Sequence, residues 1–296
     1  GMLLETIVKG VILHIDPSGN TPTIRKRNTE QVMSFSTIFG LLAAFGLFSS
    51  AIYLNTDNYI MFLSISSIMM VFGGTLAGTL ISYEPQLVWL SLKLITRIVF
   101  SPTIGRNVLK GEVGRVIRWA YAVQKGGIRA LEKDAENAIQ GDVFLKFGIQ
   151  VVTSGYQGAE VREIMNNVIE TTYGRNMVQV DILKSMGAAA PSFGMIGTLV
   201  GLIIMLDNLG GDPSELGKGL AVALMTTLYG VLAARIIFIP AATKMNQRER
   251  LIRFRNYLVV EGLVLLTEKK SPRQIQDRMN SYLDPSIHFD IDQMRK

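Results

Sequence analysis

Four nearly charge-free runs constrain this chain more than any other feature. Residues 35–54, 59–83 and 187–206 carry no charge, and residues 219–243 carry only Arg235. A helix rises about 1.5 Å per residue, so about 20 residues cross a hydrocarbon core of roughly 30 Å. Each run is therefore predicted to be a membrane-spanning helix. Composition agrees: 48% of the 296 residues are hydrophobic and 18% are charged, where soluble chains average about 25% charged. A mean hydropathy of +0.29 excludes both an ordinary soluble enzyme and a disordered chain. The run at 35–54 has no basic leader and no small-residue cleavage site before it, so it reads as a retained span and not a signal peptide.

The basic residues orient the spans. Of the 30 Lys and Arg, 4 lie in residues 1–34, 13 in 84–186 and 11 in 244–296, whereas the connections 55–58 and 207–218 hold only Lys218. The positive-inside rule places both termini and the long middle segment in the cytoplasm. The acidic connections, with Asp57, Asp207, Asp212 and Glu215, then face outward. Five segments follow: an N-terminal cytoplasmic or interfacial piece (1–34), a hairpin of two spans (35–83), a cytoplasmic helical domain (84–186), a second hairpin (187–243) and a cytoplasmic helical tail (244–296). The predicted fold is an all-α integral membrane protein with four transmembrane helices.

Outside the spans, residues 85–100 read as an amphipathic helix. Apolar periodicity predicts helices near 113–123, 128–139, 161–180 and 245–268, with breaks at Gly126-Gly127 and Gly141. Ser271-Pro272 is a helix start. Leu3, Leu4, Ile7, Val8, Val11 and Ile12 share one face of a helix that either lies on the membrane or packs against the rest.

What the spans lack excludes several functions. With no cysteine there are no disulfides, thiolate sites or cysteine nucleophile. His14 and His288 lie near opposite termini, so the centre of the chain holds no histidine cluster or Ser-His-Asp triad. No phosphate loop is present and no cofactor is implied, so an enzyme is not predicted. The basic residues lie in topology-setting loops with few aromatics, which argues against nucleic acid. No span interior holds Asp, Glu, His or Lys. An ion pathway needs an anionic or titratable group at membrane depth, so if this chain passes ions the carboxylate must come from another chain. The spans offer hydroxyls instead, at Thr198, Thr226, Thr227 and Tyr229. Each threonine reads either as an ion ligand or as a hydroxyl bonded to the carbonyl one turn back. Pro191 and Pro240 each remove a helical N–H, and Pro191 is expected to free the carbonyl of Gly187 and bend its helix. Gly74 and Gly78, Gly197 and Gly201, Gly219 and Ala223, and Gly230 and Ala234 are spaced for close helix contact. Arg235 either snorkels to the cytoplasmic interface or meets a partner acid or a lipid headgroup.

At these residues the sequence resembles a known family. The run from Ala190 through Leu202, APSFGMIGTLVGL, is similar to the third-span motif of flagellar stator A subunits, the MotA/PomA family within the MotA/TolQ/ExbB superfamily. AVALMTTLYG from Ala221 to Gly230, followed by Phe238-Ile239-Pro240, resembles the fourth-span motif, and Glu261-Gly262-Leu263 with Ser271-Pro272-Arg273-Gln274-Ile275 resembles the tail. The likeness covers roughly residues 35–285. It implies, in a bacterial inner membrane, a ring of five A subunits around two single-span B subunits, each bringing an ion-binding aspartate and a peptidoglycan anchor. Ion flow would turn the ring, and cytoplasmic charges would drive the rotor switch protein. On this resemblance Pro191 and Pro240 are the coupling prolines, and Thr198, Thr226 and Thr227 the ion pathway. A threonine at 198 resembles sodium-driven members and favours Na+ over H+. The rotor-contact segment is similar to residues 124–132, with Gln124 where members carry arginine and Glu132 where they carry glutamate. Lys125, Arg129, Glu132, Lys133 and Glu136 are expected along one helical face, with Lys125 or Arg129 supplying the missing positive charge. The chain departs from the family in its long 1–34 segment. Two other readings remain: a related rotary motor for gliding, outer-membrane energisation or phage defence, and a stand-alone channel, which would conduct without a partner.

Overall fold

A computed structural model describes residues 35–57, 59–98, 106–135, 141–207, 210 and 213–292. The expectations for residues 1–34 and for Glu136 lie outside the described residues. The helices are α1 (Phe35–Asn55), α2 (Tyr59–Ser82), α3 (Pro85–Ile98), α4 (Arg106–Gly126), α5 (Ile128–Ala135) and α6 (Val143–Thr153). They continue with α7 (Gly158–Asp207), α8 (Pro213–Leu232), α9 (Ile239–Thr267) and α10 (Pro272–Asn280). Among the described residues there is no strand. The stretches 59–82, 158–207 and 216–267 are long and apolar enough to cross a membrane, and α1 adds a 21-residue helix without charge. Large side chains such as Phe39, Leu47, Ile81 and Ile203 stand outward on these helices, an apolar surface that water would not tolerate and lipid solvates. The chain is a membrane protein.

The ends of the helices follow from local chemistry. Ser271 caps α10 by accepting from the Gln274 N–H, and the Gln274 side chain accepts from the Ser271 N–H, with Pro272 in the first turn. Asp142 caps α6 by accepting from the Leu145 N–H at 3.0 Å. Gly127, at φ +73°, ends α4 in the left-handed region that favours glycine, and Gly141, just before α6, also has a positive φ of +91°.

The backbone does not break where the charge pattern changes. α7 runs 50 residues, about 75 Å, through the boundary at 186/187. α8 continues through a π-helical segment, Ala233–Phe238, into α9 and past 243/244. Both helices thus leave the apolar zone as continuous rods. A core of Val180, Leu183, Ala190, Ala234, Phe238 and Met245 joins them near that exit. A second core, with Ile117, Leu131, Leu145, Met165, Leu263 and Met279, lies among α4–α7, α9 and α10.

Polar ties hold the rods in register. Asn176 donates to Glu249 at 2.8 Å, Arg253 makes a two-point contact with Glu170 at 3.0 and 2.7 Å, and Arg162 meets Glu261 at 2.6 Å. The Tyr257 hydroxyl also donates to Glu170. Burial alone would raise the Glu261 carboxyl, but the guanidinium groups of Arg162 and Arg278 outweigh it and hold the group below its ordinary value. Arg255 on α9 reaches both Glu112 of α4, at 2.7 Å, and Asp142, the α6 cap, at 2.5 Å. The Glu112 side chain is 4% exposed, so losing Arg255 leaves a buried carboxylate with only Arg115 beside it. Arg255→Gln is expected to destabilise the protein by about 3 kcal/mol, read as a lower Tm of the purified protein in detergent. An unchanged Tm would remove Arg255 from the stabilising network.

Candidate functional site

The closest approach of the two rods in the apolar zone is built from glycine. A Cβ on Gly201 would lie 2.7 Å from the Ala223 nitrogen and 2.8 Å from the Gly219 carbonyl oxygen. One on Gly230 would lie 2.7 Å from the Ala190 carbonyl oxygen and 3.2 Å from the Pro191 Cα. Gly194 and Gly197 meet the backbone of Thr226 and its side chain respectively. The small-residue spacing of the third and fourth spans is thus mutual. Gly74 and Gly78 of α2 instead leave room for the ring of Phe193.

This approach places the three threonines in two environments. Thr226 is 1% exposed, and its hydroxyl lies within donating distance of the Ala223 and Val222 carbonyls, at 2.9 and 3.1 Å. Its methyl side fills the space left by Gly197. Thr227, one residue on, is exposed and pairs with the half-buried Thr198 across the two helices, Oγ1 to Oγ1 at 2.5 Å. The Thr198 hydroxyl also faces the Gly194 and Ala223 carbonyls at 3.1 and 3.2 Å. Four oxygens, two hydroxyl and two carbonyl, therefore gather along one seam: Thr198, Thr227, Gly194 and Ala223. Neutral oxygens of this kind ligate a hard cation, and they supply no titratable group.

The rods run antiparallel, so both prolines lie on the same side of this seam, Pro191 before Thr198 on α7 and Pro240 after Thr227 beyond α8. α7 passes through Pro191 without interruption, and the Gly230 backbone lies against the proline Cα. Pro240 follows the π-helical segment, in which the Ile239 N–H bonds the Ala234 carbonyl five residues back. That wider turn absorbs the change of hydrogen-bond register ahead of a residue with no N–H of its own.

Sequence reasoning missed the break in α2. A short 3₁₀ turn, Tyr59–Phe62, precedes an α-helical start capped by Ser64, which leaves the Phe62 carbonyl and Ser64 N–H without helical partners. The Tyr229 hydroxyl satisfies both, donating to Phe62 and accepting from Ser64 at 3.1 Å. The Ser67 hydroxyl approaches the Val222 carbonyl at 3.4 Å. A serine cluster, Ser64-Ile65-Ser66-Ser67, inside an uncharged run was the available signal.

The charged segment at 124–132 is split. Lys125 closes α4, while Arg129 and Glu132 belong to α5 beyond Gly127. The expectation of one shared helical face is corrected: the left-handed glycine turns the chain between them. Gln124, Lys125, Arg129 and Glu132 are all exposed, and Leu131 anchors α5 in the core.

Comparison with known proteins follows this geometry. Residues 136–255 match the model of the MotA/TolQ/ExbB proton channel family. The chain is 29% identical over 252 residues to "Chemotaxis protein PomA" of Vibrio alginolyticus, covering 85% of this chain and 96% of that protein. It is 32% identical to "Motility protein A" of Cereibacter sphaeroides, covering 75% and 85%. "Motility protein A" of Aquifex aeolicus is 30% identical, covering 82% and 94%. Among solved structures, the MotAB complex of C. jejuni superimposes with a TM-score of 0.76 at 22% identity, over 86% of this chain and 97% of that one.

Proposed function

This chain belongs to the MotA/TolQ/ExbB proton channel family, and from that premise we propose that it is an ion-conducting stator subunit of the bacterial flagellar motor. With a single-span partner it forms an ion-driven rotary unit that generates torque on the rotor. The observation that carries this reading is the seam of neutral oxygens around Thr198 and Thr227, set in spans without an acid. Such a seam ligates a cation and leaves its charge to be balanced by a carboxylate from a partner. The names of the relatives, a chemotaxis protein and motility proteins, favour a flagellar load over gliding, outer-membrane energisation or phage defence.

The finer parts of the reading are these. Four helices cross the inner membrane, with both termini in the cytoplasm, and residues 84–186 and 244–296 form the cytoplasmic helical parts. Five copies surround two B subunits, each of which brings an ion-binding aspartate. Thr198 and Thr227 line the ion pathway on its open side, and Thr226 supports it by fixing the contact of α8 with α7. Pro191 and Pro240 couple ion passage to movement of the cytoplasmic rods. Lys125, Arg129, Glu132 and Glu136 contact the rotor switch protein. The threonine at 198 favours Na+ over H+ as the transported ion. Each unit charge that crosses releases about 2.3 kcal/mol per 100 mV, so the output is many small steps.

Co-expression with a single-span, aspartate-bearing membrane protein tests the assignment. A co-purifying ring that drives ion-dependent rotation is expected, and this chain alone should conduct nothing. A stable monomer that ignores the partner, or conduction without one, would overturn it.

A further inference from the structure

We propose that Arg235 stands on the ion-conducting side of α8 as a counter-charge to the carboxylate of the single-span partner, and that it promotes release of the ion toward the cytoplasm. The proposal rests on reading Thr198 and Thr227 as the ion pathway.

The exposed stripe of α8 carries the first part of the argument. Leu220, Leu224, Thr227, Val231 and Arg235 are all exposed, and they recur at intervals of three and four residues, the spacing of one helical face. The opposite side, Ala223, Thr226, Gly230, Ala233 and Ala234, is buried against neighbouring helices. In an unbroken α-helix, two successive steps of four would rotate Arg235 away from the Thr227 side. Arg235 lies in the π-helical segment Ala233–Phe238, whose wider turns rotate less per residue and offset that drift. The one charged residue in any of the four spans therefore shares a face with the exposed ion-pathway threonine.

The second part is electrostatic. Among the described residues no carboxylate pairs with Arg235, and the spans around it contain none. An unpaired guanidinium at membrane depth is costly, so it draws an anion to this level. Arg235 lies eight residues before the end of this apolar run, about 12 Å of helix along its axis. The Cα–Cβ bonds of a helix tilt toward its N-terminus, which for α8 is the outer side. The side chain thus starts toward Thr227 and away from the cytoplasmic headgroups. The anion that fits this place is a carboxylate on the helix that passes the threonine seam.

The mechanistic consequence follows from the sign of the charge. A carboxylate that holds a cation at the seam is neutral and ignores Arg235. As it moves toward the guanidinium, the positive charge competes with the cation and favours its departure. The bare carboxylate is then stabilised until the next copy of the seam presents a new ion. A unit charge about 12 Å away, at an effective dielectric constant of about 20, changes cation affinity about tenfold.

The test is rotation speed against the concentration of the driving ion, in cells carrying the full chain with its partner. External sodium is varied at fixed pH, and external pH at fixed sodium. Arg235→Gln is expected to shift half-maximal speed to about tenfold lower ion concentration while lowering maximal speed, because the ion binds more tightly and leaves more slowly. Arg235→Lys keeps the charge and should restore both. A general loss of packing would lower maximal speed without tightening the midpoint. An unchanged midpoint in Arg235→Gln overturns the proposal. So does loss of anionic phospholipid from the purified variant ring by mass spectrometry with no change in midpoint, which would make Arg235 a lipid site. Failure of both Arg235→Gln and Arg235→Ala to form a ring would make the residue structural. If the unaltered chain shows no ion-dependent rotation, the stator assignment fails instead, and the two failures are distinct.

Discussion

Gly201→Val is expected to abolish the ring with the single-span partner and all motility, while Gly46→Ala leaves both intact. The Cβ added at position 201 would meet three backbone atoms of α8, the Ala223 nitrogen at 2.7 Å, the Gly219 oxygen at 2.8 Å and the Ala223 Cα at 2.9 Å. Backbone in a packed helix cannot swing aside, so α7 and α8 must separate. The contact is reciprocal, since a Cβ on Gly219 would lie 3.0 Å from both the Gly201 oxygen and the Met205 nitrogen. Separation costs about 3 kcal/mol or more in overpacking and lost dispersion, and lipid supplies no hydrophobic drive to restore the contact. One turn away it also pulls apart the Thr198–Thr227 pair, which stands at 2.5 Å. Gly46, with open space around its Cβ position, controls for the substitution of a glycine in a span. The measurement is the yield of intact ring after affinity purification through the partner. A normal yield for Gly201→Val would refute the close backbone approach at this site.

The same glycines show how far the sequence could be read. Their spacing announced close helix contact, and the charge asymmetry announced topology, because both depend on patterns along one chain. Which helix each glycine meets depends on pairings far apart in sequence. Gly197 and Gly201 found α8, whereas Gly74 and Gly78 found the ring of Phe193. Charge composition put boundaries at 186 and 243, yet a helix needs no break to pass from lipid to water, and both rods cross those positions intact. Thr226 and Thr227 carry the same chemistry and adjacent numbers. Only the roughly 100° between neighbouring residues turns one into packing and leaves the other open. The Tyr229 bridge to Phe62 and Ser64 was illegible because hydrogen bonds across more than 160 residues leave no local signature. Gly127, by contrast, was visible as a break, and its consequence for the Lys125–Arg129 face follows from taking that break literally.

Thr198→Ala is expected to abolish sodium-dependent rotation while the ring still forms, and Thr198→Ser to retain most of it. The threonine hydroxyl has one proton and three acceptors within reach: the Gly194 and Ala223 carbonyls and the Thr227 oxygen. It therefore alternates among partners, and it always leaves a lone pair for a cation. On the proposed pathway, removing it deletes one ligand oxygen, and it strips the exposed Thr227 hydroxyl of its cross-helix partner. Losing one cation ligand and one hydrogen bond weakens sodium binding by about 2 kcal/mol, or roughly thirtyfold, beyond what ordinary external sodium makes up. Packing is little affected, because Thr198 is half-buried and alanine fits wherever threonine does. Serine keeps the oxygen and loses only a methyl group. Rotation speed against external sodium, with ring yield measured in parallel, separates the outcomes. Unchanged sodium-driven torque in Thr198→Ala would take this residue out of the pathway. Equal loss in the alanine and serine variants would point to the methyl group, and so to packing at the seam. The contrast with Thr226 sharpens the test. Thr226→Ala opens a void beside Gly197 at a fully packed position, so it should lower ring yield before it alters the sodium midpoint. The adjacent threonines should thus separate assembly from ion use, which a seam with both hydroxyls in equivalent roles would not produce.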